Sequence, residues 1–221
     1  MTTAILIPAR LDSTRFPNKM LAELNGVPLI RHVYDKCVAT GLDTYVVTPD
    51  QTIVDAVPRA ILVGDADNGT DRCMLAIDEH LQYDHYINVQ GDMPDITTDI
   101  IRAVEAALNH SYVATAYTTM DFNLRSDPNC VKMIHSRGRA HWFLRASLAY
   151  GDHHLGIYGY NREAKAMYSV SRRYIEEDIE KLEQLRWIQN GIKIGVVEVE
   201  FDGIEINSPE DLVEWHRRNG K

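Results

Sequence analysis

The chain has 221 residues, 45% hydrophobic and 25% charged, with a formal net charge of -9. That mix suits a soluble globular protein with a real core, and the acidic balance excludes broad, sequence-blind binding to nucleic acid or an anionic membrane. Cys37, Cys73 and Cys130 lie far apart with no CxxC pair, which argues against a disulfide framework or a structural zinc site and for a reducing, cytoplasmic setting.

The elements follow in order. "TAILIPA" is too short and lacks the cationic lead of a signal peptide; it reads as a buried strand. "VPLIRHVYDKCVATG" reads as an amphipathic helix closed by Gly41, "TYVVTP" as a strand, "QTIVDAV" as a short helix and "AILVG" as a third strand. A helix over Thr70 to His80, a strand in "HYINVQGD" and a helix from Thr97 through "IIRAVEAALNH" complete an alternation that predicts a mostly parallel sheet covered on both faces. "YVATAYTTM", "CVKMIHS", "AHWFLRA" and "HLGIYGY" then read as strands of a mixed-sheet extension or small lobe, roughly 120–175. "RYIEEDIEKLEQLRWIQNG" reads as one long helix stopped by Gly191, "KIGVVEVE" as a strand, and "SPEDLVEWHRRNG" as a closing helix. In that last helix Ser208 suits the N-cap, Pro209 the first helical position and Asp211 the capping-box acid. The whole is expected to form a single domain over 1–221, with no repeats, low-complexity tracts or membrane-spanning run.

Ligands of open α/β sheets sit beyond the carboxyl ends of the strands, and two loops there stand out. "IPARLDSTRFPNKM" carries Arg10, Arg15 and Lys19 against Asp12 alone. Three cations at a strand end in an acidic chain are suited to a triphosphate, Arg by a bidentate fork and Lys as a mobile point charge. Ser13 and Thr14 add hydroxyls or backbone N–H groups, and Arg15 and Lys19 are expected to face solvent. The spacing is not a Walker A loop and no GxGxxG occurs, so neither a P-loop ATPase nor a dinucleotide oxidoreductase is supported. In "QGDMP", Asp92 fits either a magnesium-holding carboxylate or a tight turn. In the long helix, Glu180 and Glu183 share a face, so that one pair can point inward.

"IPAR..STR.P.K", "NVQGD.P", "PN.VK", "HLGIYGY", "LEQLR" and "SPEDL", in this order, resemble the 3-deoxy-manno-octulosonate cytidylyltransferase family, and the match spans Ile7 to Leu212. The first block is shared more loosely with CMP-sialic acid synthetases and spore-coat polysaccharide proteins; "HLGIYGY" with "LEQLR" favours the 3-deoxy-manno-octulosonate (Kdo) branch. The resemblance implies a Rossmann-like (GT-A-like) nucleotidyltransferase fold of the α/β class, a mixed sheet with helices on both faces and a small dimerisation lobe. It implies a homodimer that transfers CMP from CTP to the anomeric hydroxyl of Kdo, releasing pyrophosphate, with Mg²⁺ as cofactor and a place in lipopolysaccharide biosynthesis.

Carried onto this chain, the resemblance assigns catalysis to Arg10, Arg15, Lys19 and Asp92. Nucleotide binding falls to Pro8, Ala9, Arg10, Ser13, Arg15, Lys19, Arg72 and Gln90. Sugar binding falls to Gln90, Arg145, His154, Tyr158, Glu183 and Gln184, and the metal to Asp92 and Asn207. The chain departs from the family pattern in four ways. Met93 replaces the acid of "QGDEP", Asp71 shortens "GTER" to "GTDR", the stretch from Thr48 to Gly69 is shorter, and Asn207 replaces the Asp of "DTPEDL". These departures leave two alternatives open: another acidic sugar, an amino-substituted Kdo or a nonulosonate, or a nucleotide-binding homologue weakened in catalysis.

Overall fold

The computed structural model describes residues 1–13 and 15–220, so the contribution expected of Thr14 lies outside the described residues. In chain order the elements are β1 (Thr3–Pro8), a hairpin of β2 (Glu23–Leu24) and β3 (Val27–Pro28), α1 (Leu29–Val38), β4 (Asp43–Thr48), α2 (Gln51–Ala56), β5 (Ala60–Leu62), α3 (Gly69–His80), β6 (His85–Asn88) and α4 (Thr98–Ala107). There follow β7 (Val113–Thr118), β8 (Lys132–Ser136), β9 (Arg139–Leu144), β10 (Asp152–Asn161), α5 (Arg162–Val170), α6 (Ile175–Glu180), α7 (Leu185–Gln189), β11 (Ile194–Glu198) and α8 (Pro209–Asn219). They fall into two compact units. The first holds Thr3–Gln82, Asn88–Ile101 and the chain from Asp202 onward; the second holds Met1–Thr2, Tyr83–Ile87 and Arg102–Phe201.

In the first unit β1 is buried at every residue, as a continuous apolar run requires of a strand covered on both faces. It pairs in parallel with β4, Leu6 opposite Tyr45, and β4 pairs in parallel with β5. α1 turns Leu29, Ile30, Val33, Tyr34 and Cys37 inward. The β2–β3 hairpin, absent from the predicted elements, turns on Asn25 and Gly26, both with positive φ (51° and 81°). That is the pair a two-residue hairpin favours. α8 begins as predicted: the Ser208 side chain accepts from the Asp211 N–H, Asp211 returns the bond, and Pro209 opens the helix.

The second unit is a mixed sheet. β10 runs antiparallel to β7, with an irregularity between Leu155 and Tyr158; β11 runs parallel to β7; β8 and β9 form an antiparallel pair. Trp187 is fully buried among Tyr158, Tyr160 and Tyr168, with the Tyr168 ring centroid 4.9 Å away. α5 was not predicted; its N-cap is Asn161, whose side chain accepts from the Ala164 N–H.

The long helix expected over Arg173–Gly191 is instead two short helices, broken at Lys181 in the left-handed region (φ 55°). The reason is an ion pair between Glu177 and Arg186, buried and doubly hydrogen-bonded, with Arg186 Nε 2.9 Å from Glu177 Oε2. Residues nine apart lie on opposite faces of a continuous helix, so the chain must double back for these two to meet. The break also removes the helical face that Glu180 and Glu183 were expected to share.

Candidate active site

All eight side chains assigned to the nucleotide, with Asp92, line one cavity of about 350 Å³ in the first unit; Asp12, Met20 and Gly69 complete it. The cavity opens where β1 ends. The loop that follows is held from three sides: the Ala9 N–H donates to Val47 O at 2.9 Å, the Leu11 N–H to Asp50 Oδ2 at 2.8 Å, and the Asn18 N–H to Leu11 O at 3.3 Å. Asn18 takes a left-handed conformation (φ 56°), which asparagine tolerates, and this turns the chain so that Lys19 points back into the cavity. Lys19 is therefore buried, not solvent-facing as expected, because Asp92 holds its Nζ at 2.7 Å. Arg15 is exposed, as expected.

α3 supplies the opposite wall. Gly69 is its first residue, and a Cβ there would lie 3.2 Å from Pro8 Cγ, so glycine lets the helix start close against the end of β1. The Asn68 side chain accepts from the Asp71 N–H at 2.8 Å and donates to the Asp71 carboxylate at 2.7 Å. The shortened "GTDR" thus spends its acid on the helix cap. The helix directs its positive end and Arg72 at the cavity. Arg72 is buried, and its Nε has no protein partner. Burial and then the neighbouring charge of Arg10 lower its pKa below the ordinary guanidinium value, a range so high that the group stays cationic at neutral pH. Four cations against Asp12 and Asp92 make the lining cationic in an acidic chain. An entering polyanion offsets the cost of gathering these charges.

Asp92 closes the cavity floor. Its carbonyl accepts from the Ile206 N–H at 2.9 Å, which brings the backbone of Asn207 beside it. Asp211 fixes that segment by accepting from the Asn207 and Ser208 N–H groups, each at 2.8 Å. Asp95 accepts from the Ile204 N–H and from Trp215 Nε1, both at 2.9 Å. Met93, where the family pattern has an acid, is completely buried. Among the described residues no group of three His, Cys, Asp or Glu side chains is arranged to hold a metal. One carboxylate at a phosphate-sized cavity still fits Mg²⁺, which keeps waters and borrows phosphate oxygens in place of an all-protein cage.

The residues assigned to the sugar belong to the second unit, apart from Gln90. His154 is buried, with Nε2 2.9 Å from Thr115 Oγ1. The Thr115 hydroxyl donates to Ile157 O at 2.6 Å, so His154 donates through Nε2 to the hydroxyl oxygen. Burial, reinforced by the charges of His153 and Arg145, lowers the His154 pKa to about 3, and the ring is neutral. Tyr158 packs its ring 5.1 Å from that of His154. Gln184 is buried with neither amide atom partnered by protein, a donor and an acceptor reserved for a ligand or water. Glu183 is half-buried beside it. Arg145 is a clamp: its N–H donates to Glu180 Oε2 at 2.7 Å, and its guanidinium donates to the carbonyls of Glu180 and Pro128 at 2.9 and 3.0 Å. Lys132, the lysine of "PN.VK", is wholly buried and donates to the Asp127 and Arg145 carbonyls; sequence reasoning gave it no role.

An α/β unit with a cationic cavity beyond its first strand, walled by a helix N-terminus and floored by a carboxylate, has the features a nucleotidyltransferase needs. The cytidylyltransferase family model matches residues 4–194, and the chain belongs to that family. Among relatives, the 8-amino-3,8-dideoxy-manno-octulosonate cytidylyltransferase of Shewanella halifaxensis is 37% identical over 235 aligned residues, covering 96% of both chains. The 3-deoxy-manno-octulosonate cytidylyltransferase of Bartonella henselae is 36% identical, covering 94% of both. A solved CMP:2-keto-3-deoxy-manno-octonic acid synthetase complexed with CTP superposes with a TM-score of 0.91 at 30% identity, covering 99% of this chain and 98% of that one. The inositol-1-phosphate CTP transferase from T. maritima shares the fold alone, with a TM-score of 0.69 at 12% identity.

Proposed function

We propose that this enzyme transfers CMP from CTP to the anomeric hydroxyl of 3-deoxy-manno-octulosonate, or of its 8-amino-3,8-dideoxy relative. The cationic cavity built by Arg10, Arg15, Lys19 and Arg72 carries this reading. The sugar oxygen bonds to the α-phosphorus, the bond from that phosphorus to the bridging oxygen breaks, pyrophosphate leaves, and the hydroxyl proton passes to solvent. Such a transfer asks the protein for position and charge and needs no covalent nucleophile. Arg10, Arg15 and Arg72 hold the triphosphate, and Lys19 neutralises charge that grows on the leaving oxygens. Asp92, with Asn207 beside it, would hold Mg²⁺, which would supply further charge neutralisation. His154, Tyr158, Glu183 and Gln184 receive the sugar acid, and neutral His154 contributes a hydrogen bond, not a charge.

The 8-amino sugar stands as a second substrate reading because relatives named for the two sugars are equally close, at 37% and 36% identity. We also place the enzyme in the cytoplasm, for which three buried cysteines that form no disulfide are the support, and read it as a homodimer from the family resemblance. A pyrophosphate-release screen of both sugars and a nonulosonate against the four nucleoside triphosphates, with Mg²⁺ and Mn²⁺, tests the reading. CTP with one octulosonate should give the product. Equal turnover with UTP would defeat the nucleotide assignment, and CTP binding without product in any metal would make the chain a binding protein.

A further inference from the structure

Many surface arginines of this chain sit against a carboxylate, as Arg31 does against Asp35 and Arg59 against Asp43, each at 2.8 Å. Among the described residues Arg139 and Lys193 have no such partner, as Arg125, Arg137 and Lys181 have none, but these two line one cleft of about 400 Å³ in the second unit. No Asp or Glu lines this cleft, in a chain whose formal net charge is -9. It shares no residue with the cavity already described.

The cleft lies where the parallel strands β7 and β11 begin: Ser111 and Tyr112 precede the first and Lys193 the second, while Arg139 opens β9 opposite Gly195. Substrates of open α/β sheets bind beyond the other ends of such strands. The floor is built for close packing, since a Cβ at Gly195 would come within 2.3 Å of Ser111 Oγ. Tyr112 stands 54% exposed on the wall. Asn161 spends its side-chain oxygen capping α5 and keeps its amide nitrogen as a donor, at the positive end of that helix. His110 also lines the cleft, but it follows the carbonyl end of α4, where a cation is favoured anyway, so Arg139 and Lys193 carry the weight.

We propose that this cleft binds a phosphate-bearing anion, inorganic or carried on a nucleoside, at a site separate from the reaction cavity. Arg139 offers a bidentate fork to two phosphate oxygens, Lys193 a point charge, and Tyr112 a ring face for a base. The binding stands independently of the proposed reaction. Pyrophosphate and CMP are the probes, titrated by calorimetry into the natural protein, the double variant Arg139→Gln/Lys193→Gln, and the double variant Arg15→Ala/Lys19→Ala.

The natural protein should bind two pyrophosphates per chain, and each double variant one. In the Arg15→Ala/Lys19→Ala background, adding Arg139→Gln should weaken the remaining site at least tenfold. Amide chemical shifts of Tyr112 and Gly195 in the natural protein give a second readout that needs no variant to fold. Movement with CMP beyond that with pyrophosphate identifies a nucleotide as the better occupant; equal movement identifies the inorganic anion. Still amides with both probes, or a second site untouched by Arg139→Gln/Lys193→Gln, overturns the proposal.

Discussion

Lys19 Nζ lies 2.7 Å from Asp92 Oδ2, an ion pair that ties the loop after β1 to the loop after β6 across 73 residues of sequence. Arg15, four residues earlier in the same loop, is exposed. The two cations therefore predict different phenotypes. Arg15→Ala should leave melting within about 0.5 kcal/mol of the natural protein, as surface changes usually do. Lys19→Ala should destabilise it as well, because Asp92 loses its partner. Each should lower kcat by ~100-fold, the cost of one lost contact to developing charge. Thermal melts read beside steady-state rates decide this, and an Arg15→Ala enzyme with natural kcat would take the loop out of the mechanism.

Asn207 offers an amide where the family pattern has a carboxylate. If residue 207 and Asp92 share a magnesium ion, Asn207→Asp adds one charge to its ligands and should tighten Mg²⁺ binding about tenfold, equivalent to ~1.4 kcal/mol. Titration calorimetry with Mg²⁺ in the presence of CTP measures it directly. Coinciding isotherms for Asn207→Asp and the natural protein would show that residue 207 does not touch the metal.

The Glu177–Arg186 pair is buried on both sides, with side chains 2% and 10% exposed. Glu177→Gln leaves a guanidinium without its counter-charge and should cost ~3–5 kcal/mol, the usual penalty for breaking one side of such a pair. Replacing both residues with apolar ones of similar volume should recover part of that loss. Urea unfolding of the single and double variants tests this, and a Glu177→Gln midpoint equal to the natural one would refute it.

His154 predicts an acid sensitivity. Its folded pKa, about 3, lies below the ordinary value of 6.5. Between these two values the unfolded chain binds a proton that the folded one refuses. Stability from this residue is therefore complete above pH 6.5 and falls as the pH drops toward 3, by up to about 1.4 kcal/mol per pH unit. The His154 ring resonances should not titrate between pH 8 and 5, and His154→Gln should flatten the fall in urea midpoint over that range. A His154 ring that titrates near pH 6.5 would contradict the burial argument.

What the sequence revealed and what it concealed follow from the range of the forces involved. β1 is an apolar run buried at every residue, and the Ser208–Pro209–Asp211 start of α8 uses only neighbouring groups, so both were legible. The gathering of Arg10, Arg15 and Lys19 was legible as charge at a strand end. The Asn25–Gly26 hairpin and the Asn161 cap of α5 were equally local and were passed over, though their signals were present. The break at Lys181 was not legible, because local propensity favours helix throughout and the opposing term is a pair nine residues apart. The burial of Lys19 depends on Asp92, and the orphaned amide of Gln184 on packing from several elements, which no local pattern encodes.

The bond from the Ile206 N–H to the Asp92 carbonyl is made wholly of main chain. No exchange at either position short of Ile206→Pro removes it, and the side-chain carboxylate of Asp211 accepts from the next two N–H groups. Residue 207 is thus a socket whose frame is independent of what is plugged into it. If residue 207 reaches the ion, exchanging carboxylate for amide there retunes the appetite for divalent ions through a single codon, without rebuilding the floor of the cavity.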